Sequence, residues 1–358
     1  MRVALIASGF ADYSVELAGA LAEAGPVMVF ADAGALDRER GQAPCPPGVA
    51  VRRFSQAGVL RRWASVGPLA AALARWRPDA IVAHEHPHPH LSTLLGLAAR
   101  IAPLGLIVHD PEPHPGRDAE FARRRAHGIA VQRAVADHLF AHGRACAARL
   151  EQATGRPVTP LAHGPILRPG APPQAPSGCG GVLMFGRMER YKGLEVLLEA
   201  GRMLQQRGVA FSLDIRGAGP ELDRLHGDVL ALPACAVTPG HASRADLLRA
   251  LTACDVVAAP YLQASASGVA AAALAHGRAV VASAVGGLAE VVRPGVNGVL
   301  VPAGDPHALA EGLRLALADC RRLGRGSLRL AEGVFAWRHA AQAIRGAFQD
   351  AGRGRTAA

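Results

Sequence analysis

Phe185-Gly186-Arg187-Met188-Glu189-Arg190-Tyr191-Lys192-Gly193-Leu194-Glu195-Val196-Leu197-Leu198-Glu199-Ala200 is the stretch in which strand, turn and helix follow one another most plainly. The apolar run Val182–Phe185 leads into it with the continuous pattern of a strand buried on both faces. Gly186–Tyr191 is polar and opens on glycine, as a turn does. From Gly193 to Gln206 apolar residues recur at three- and four-residue intervals, which predicts an amphipathic helix opened by Lys192. A helix start at such a turn offers free amides and the positive end of a dipole to an anion. Lys192 is the only lysine in the chain; every other cation of the 39 is arginine. The plain reading is a chance survivor on a helix surface. Its place favours another: a compact ammonium suits a phosphate oxygen in a tight pocket better than a planar guanidinium does. Arg187 and Lys192 together can neutralise a diphosphate.

Outward from this unit the same alternation recurs. Strands are expected near 211–216, 255–260, 279–283 and 298–302 downstream. Upstream they are expected at Val3–Ala7, Pro26–Phe30, Val49–Phe54, Ala80–Ala83, Gly105–His109, His138–Ala141 and Pro160–Ala162. Helical patterns at 13–24, 58–75, 90–100, 118–135 and 143–153 lie between most of the upstream set. Continuous apolar strands joined by helices imply parallel sheets covered on both faces. Residues 165–180 break the rhythm with proline, glycine and small residues, which reads as a linker. The expectation is two doubly wound α/β halves facing a cleft, with ligands at the strands' carboxyl ends.

Composition bounds the rest. Of 358 residues 50% are hydrophobic, enough for a large core and against global disorder. The +10 charge is spread over both halves, and runs such as Arg123-Arg124-Arg125 lack interleaved aromatics. They read as solvated faces, so no nucleic-acid partner is expected, while an anionic donor or a peripheral membrane contact suits the charge. Six cysteines lie far apart with no CxxC pair, implying reduced, mostly buried thiols in a cytoplasmic protein. The N-terminal apolar run is too short for a signal peptide, and no segment is long enough to span a membrane.

Two further loops carry candidate chemistry. Ser265-Ala266-Ser267-Gly268-Val269 follows a strand and opens a helix, so its amides can cradle an anion; Ser267 as a simple N-cap uses the same terminus. Leu106-Ile107-Val108-His109-Asp110-Pro111 is a buried strand ending in polar residues, placing His109 where it can bond a sugar hydroxyl or a phosphate. A lone histidine is more often structural; this one stands at the ligand-facing end. The tract His84-Glu85-His86-Pro87-His88-Pro89-His90 invites a metal reading, but it is a crowded, proline-broken loop without cysteine. A metal-dependent hydrolase built on it is the less favoured reading.

Taken in order, the FGRMERYKGLEVLLEA stretch, Arg216-Gly217-Ala218-Gly219-Pro220-Glu221, Ser267–Ser283, Gly286-Gly287-Leu288-Ala289-Glu290, Asn297–Pro302 and Phe335-Ala336-Trp337 resemble the retaining family-4 glycosyltransferases. The resemblance spans nearly all of 180–345 and, more loosely, the first half. It implies the GT-B fold, with two Rossmann-like domains: an acceptor domain 1–165, a linker 166–180, a nucleotide-sugar domain 181–335, and a last helix, 336–358, returning to the first domain. It implies transfer of a sugar from a nucleoside-diphosphate sugar to a hydroxyl acceptor, lipid-linked, cell-envelope or natural product, with no metal or other cofactor. Catalytic roles then fall on His109, Arg187 and Lys192. The donor's diphosphate and nucleotide fall to Arg187, Lys192, Gly217, Gly219, Ser265, Ser267, Gly268, Val269 and Glu290. The acceptor side falls to Gly9, Phe10, His86, Asp110 and His114. One departure stands out: the family's paired glutamates, eight residues apart, are here Ala264 and Ala272, as in a branch reading ASxSGV. Gln263 and Glu290 are the polar groups nearby to replace them. The same departure motivates the alternative, a GT-B-like nucleotide-binding partner subunit without catalysis.

Overall fold

The computed structural model describes residues 1–56, 58–112 and 123–356. The chain forms two compact units, Met1–Gly164 with Trp337–Ala358, and Pro165–Ala336. Each is built on one parallel sheet, because its central strands are apolar on both faces and need cover on both.

The first unit's strands are β1 (Val3–Ala7), β2 (Val27–Asp32), β3 (Val49–Phe54), β4 (Ala80–His84), β5 (Leu104–Val108), β6 (His138–His142) and β7 (Val158–Leu161). Their order is β3-β2-β1-β4-β5-β6-β7. Val3 pairs with Val27 on one side and Ala80 on the other, so the chain's direction of winding reverses between β1 and β4. Val-Ala-Leu-Ile-Ala and Leu-Gly-Leu-Ile-Val are buried throughout, whereas edge strand β3 alternates and exposes Arg52 and Arg53. Leu5, Phe30, Ile81, Leu94, Leu106 and Leu139 are at most 2% exposed at the heart of this unit. The last helix, Trp337–Thr356, packs on it through Trp337, Ile344 and Phe348. A Cβ on Gly164 would lie 2.2 Å from the Trp337 ring, so the close approach requires glycine.

The second unit holds β8 (Gly181–Phe185), β9 (Ser212–Gly217), β10 (Cys235–Pro239), β11 (Val256–Ala259), β12 (Ala279–Ser283) and β13 (Gly298–Val301), ordered β10-β9-β8-β11-β12-β13. Here the winding reverses between β8 and β11. Met184, Leu197, Ile215, Val256, Val281 and Leu309 fill its core.

Sequence missed β10. Among the described residues it pairs only with β9, and it is exposed or half-exposed along its length, so Cys-Ala-Val-Thr-Pro shows no continuous apolar run. Cysteine burial was overestimated: Cys146, Cys254 and Cys320 are buried, but Cys45 and Cys179 are exposed and Cys235 is partly so. Of the helix expected over 118–135, the stretch Ala126–Val135 is helical, and residues 118–122 lie outside the described residues. Among the described residues no helix is long and apolar enough to cross a membrane.

Residues 166–180 carry no helix or strand, yet they are fastened to the second unit. The carboxylate of Asp255, fully buried, accepts bonds from Ser177 Oγ (3.0 Å) and from the amides of Gly178 (2.9 Å), Gly180 (2.8 Å) and Gly181 (3.2 Å). Burial alone would raise its pKa; the four donors outweigh burial and hold it below the ordinary aspartate value. The stabilisation is therefore present above the unfolded carboxyl pKa and is lost as pH falls through the folded one. Asp255→Asn turns an acceptor into a donor facing amides, and is expected to cost roughly 1.5–3 kcal/mol in urea unfolding at pH 7.

Candidate active site

In the second unit the winding reverses between β8 and β11, and the loops beyond their carboxyl ends are where a doubly wound sheet takes its ligand. The β8 loop is held by its neighbour after β9. Gly186 N donates to Arg216 O (2.9 Å), Met188 N to Ala218 O (2.9 Å), and Glu221 N to Met188 O (3.0 Å). Gly217 and Gly219 permit this: a Cβ on either would stand 1.9 Å from Gly186 O or 2.4 Å from Met188 O. Arg187 is exposed on this loop.

Lys192 does not open the following helix. It ends a single 3-10 turn, Arg190–Lys192, and Gly193 at φ +73° separates it from the helix Leu194–Gln206. A left-handed residue cannot continue a helical run, which is why the expected start moves by one residue, from Gly193 to Leu194. The half-buried ammonium donates to Tyr261 Oη at 2.7 Å and lies 4.2 Å from the centre of that ring. The contact joins the β8 loop to the β11 loop, reinforced by Leu262 N donating to Tyr191 O at 2.7 Å.

Further along the β11 loop, Ser267 Oγ caps the helix Gly268–Ala275 by accepting from Ala270 N at 3.3 Å. Ala271 N donates to Ser267 O, and the Gly268 and Val269 amides donate to no group among the described residues. Two free amides at a helix start form an anion cradle. Ser265 O receives the Gly287 amide at 2.7 Å, which ties the cradle to the β12 loop and to the short helix bearing Glu290. Ala264 is 7% exposed and Ala272 fully buried in the apolar core, so neither position contacts a ligand as a glutamate would. Gln263 is exposed beside them.

In the first unit the winding reverses between β1 and β4, and the loops after β1, β4 and β5 bring together Gly9, Phe10, His86 and His109. Phe10 is held in the left-handed region (φ 55°, ψ 40°), uncommon for a bulky residue, and stacks on His109 with centroids 3.8 Å apart. A Cβ on Gly9 would lie 3.9 Å from the His86 ring. His86 is fixed at its backbone by the Gln132 amide, which accepts from its N (3.1 Å) and donates to its O (2.7 Å). Glu85 beside it takes two bonds from Arg133, 2.6 and 2.9 Å. Asp110 is exposed after β5, and His114 lies outside the described residues. The His86 ring stacks on His88 with centroids 4.6 Å apart, and His88 meets His90 at a tilt, 5.6 Å away. Among the described residues no three His, Cys, Asp or Glu side chains are placed to hold a metal ion.

Sequence reasoning missed most of what surrounds His109. His84, His109, His142 and His163 stand at the carboxyl ends of β4, β5, β6 and β7, neighbours in the sheet. Tyr13 meets all four edge-on at 5.1–5.4 Å, and Trp337 at 4.6 Å. The signal was present: Ala83-His84, Val108-His109, Ala141-His142 and Ala162-His163 each end an apolar run in histidine. Burial pushes His84 down to about 3, with His86 and His163 adding to it, and drives His109 and His142 well below the ordinary imidazole value. All are neutral at pH 7.

Because the unfolded histidines take up protons below about 6.5 and the folded ones do not, the first unit loses stability as pH falls from there. His84 alone removes about 1.4 kcal/mol per pH unit between those limits. All three tryptophans (Trp63, Trp76 and Trp337) lie in this unit, so their fluorescence in urea reports it. The midpoint is expected to fall steadily from pH 7 to pH 5; a flat profile would contradict neutral burial.

Comparison with known proteins agrees with this architecture. Residues 180–319 match the model of glycosyl transferases group 1, and residues 7–164 that of glycosyltransferase family 4. A D-inositol 3-phosphate glycosyltransferase of Catenulispora acidiphila is 31% identical over 98% of this chain and 93% of its own. One of Xylanimonas cellulosilytica is 38% identical, over 49% of this chain and 43% of its own. The crystal structure of Anabaena HepE with UDP superposes with a TM-score of 0.68 at 20% identity, covering 98% of this chain and 100% of that one. Sucrose-phosphate synthase from Thermosynechococcus elongatus gives 0.68 at 21%, covering 99% and 100%. The β8 loop with its single lysine, the capped helix start after β11, the two family matches and the full-length relative lead to one conclusion: the chain belongs to glycosyltransferase family 4, with the GT-B fold.

Proposed function

We propose that this glycosyltransferase moves a sugar from a nucleoside-diphosphate sugar to an acceptor hydroxyl, with retention at the anomeric carbon and without a metal. The observation that carries the reading is the Lys192 ammonium held on Tyr261 within the loop system that also bears the Gly268 and Val269 amides, unpartnered among the described residues. These groups would bind the donor's diphosphate. As the bond from C1 to the phosphate oxygen breaks and the bond from C1 to the acceptor oxygen forms, negative charge grows on the leaving diphosphate. The acceptor's proton passes to a diphosphate oxygen on the same face. The fixed ammonium and amides then stabilise charge where it develops, without reorganising. Neutral His109 and the β1 loop would hold hydroxyls of the sugar or acceptor. HepE was crystallised with UDP and with UDP-glucose, and the relatives are named D-inositol 3-phosphate glycosyltransferases. Uridine donors and cyclitol phosphates are accordingly the first compounds to try, beside cell-envelope acceptors.

Calorimetry against UDP, GDP and ADP, followed by NMR of the product made with the matching sugar donor, tests the proposal. One diphosphate is expected to bind, the product to keep the donor's anomeric configuration, and EDTA to leave the rate unchanged. No binding of any nucleoside diphosphate would overturn it, and binding without transfer would favour the non-catalytic partner subunit.

A further inference from the structure

Ser14, His84 and His109 form a single hydrogen-bonded line inside the first unit. Ser14 Oγ lies 2.8 Å from the Phe10 carbonyl oxygen and 2.8 Å from His84 Nε2. His84 Nδ1 lies 2.8 Å from His109 Nε2. Ser14 is fully buried and His84 is 4% exposed, so both are shielded from bulk solvent.

The proton positions follow from which atoms can donate. A carbonyl oxygen only accepts, so the single hydroxyl proton of Ser14 is committed to Phe10. Its oxygen then offers lone pairs alone, and His84 Nε2 must carry the hydrogen. Burial keeps His84 neutral, so it has one N–H and its Nδ1 is a lone pair. His109 Nε2 must therefore donate. His109 is neutral for the same reason, which leaves its Nδ1 as a lone pair. That atom makes no hydrogen bond among the described residues. Phe10, whose carbonyl anchors the line at one end, stacks on the His109 ring at the other with only 11° between the planes.

We infer that Ser14 and His84 are positioning residues that lock His109 in its Nε2–H tautomer, so that Nδ1 presents an acceptor selecting a hydroxyl over a phosphate oxygen. A lone pair attracts the hydrogen of a sugar or acceptor hydroxyl and repels an anionic oxygen. This second half rests on the proposed sugar transfer; the tautomer itself does not. It also chooses between the two partners that the sequence left open for His109.

Long-range proton–nitrogen correlation spectra of uniformly nitrogen-15-labelled protein at pH 7.5 read each imidazole's tautomer without substrate. His84→Gln and His109→Gln identify the two signals by their loss. Wild-type protein is expected to show both rings as Nε2–H. In Ser14→Ala the His84 Nε2–H would be buried with nothing to accept it, so both rings are expected to switch toward Nδ1–H. Its kcat is expected to fall about tenfold with donor KM unchanged, and Ser14→Thr, which keeps a hydroxyl, to restore the wild-type pattern and rate. A wild-type His109 carrying its hydrogen on Nδ1 would overturn the proposal even if neither Ser14 variant folds. So would Ser14→Ala with unaltered tautomers, or with altered tautomers and an unaltered kcat. Absence of sugar transfer by the wild type would strike the proposed function and leave the tautomer result standing.

Discussion

Lys192→Ala is expected to lower kcat by about 10²–10³-fold, the effect of removing one preorganised group from a site of developing charge. The ammonium is fixed before substrate arrives, by the bond to Tyr261 Oη and by its place over the ring. It sits close against Gly186, 3.7 Å from where a Cβ would be, so the β8 loop leaves room for a slim side chain. Lys192→Arg should therefore not rescue: the planar, wider guanidinium cannot occupy the same point. Tyr261→Phe keeps the ring and loses the bond, and is expected to cost about a factor of ten, one hydrogen bond to a charged group. The fold should be indifferent. Lys192 makes no ion pair among the described residues, and thermal unfolding of Lys192→Ala should stay within a few degrees of wild type. Steady-state kinetics with kcat and donor KM resolved decides the matter. A kcat within threefold of wild type would place the growing charge elsewhere and remove the main support for the proposed donor site.

How much of this was legible in the sequence depends on whether local pattern or distant neighbours set each feature. Apolar runs such as Val3–Ala7 and Ala279–Ser283 read correctly to the residue, since a strand buried on both faces needs no other information. β10 did not, since its pairing on one side only leaves it half polar. Lys192 stood out through composition alone, and its loop position through the turn before it. That it ends a 3-10 turn was hidden, because Gly193 adopts φ +73° to let Pro260 approach from another strand's loop. Loss of the paired glutamates was visible at Ala264 and Ala272, but not that Ala272 lies wholly inside the core. His109 was found because one strand end was considered at a time. The neighbouring His84, His142 and His163 come together only once the order β4-β5-β6-β7 is known, and Ser14 only once its helix is docked on them. Sequence gave no reason to single out a serine in Ala-Asp-Tyr-Ser-Val-Glu-Leu.

Gly193→Ala is expected to destabilise the second unit by about 3–5 kcal/mol, well beyond the usual effect of adding one methyl group. Two causes act together. At φ +73° any L side chain costs roughly 1–2 kcal/mol. In addition the new Cβ would stand 1.9 Å from the Pro260 carbonyl oxygen, a backbone atom that cannot rotate away. Relief requires the loop after β11 to retreat, and that loop carries both the Leu262–Tyr191 bond and the Tyr261 hydroxyl that holds Lys192. The lowered stability should appear as a fall in Tm of roughly 6–20 °C. Turnover should also drop at temperatures where the variant is still folded. Gly208, just past the other end of the same helix, separates the two causes. Its φ is +68°, yet a Cβ there meets nothing within 4 Å. Gly208→Ala should thus show the conformational cost alone, about 1–2 kcal/mol, with normal turnover. If Gly193→Ala lost no more stability than Gly208→Ala, the β11 loop would be yielding at little cost. A loop that yields so readily cannot hold the lysine rigid, and preorganisation of the diphosphate site would lose its structural basis.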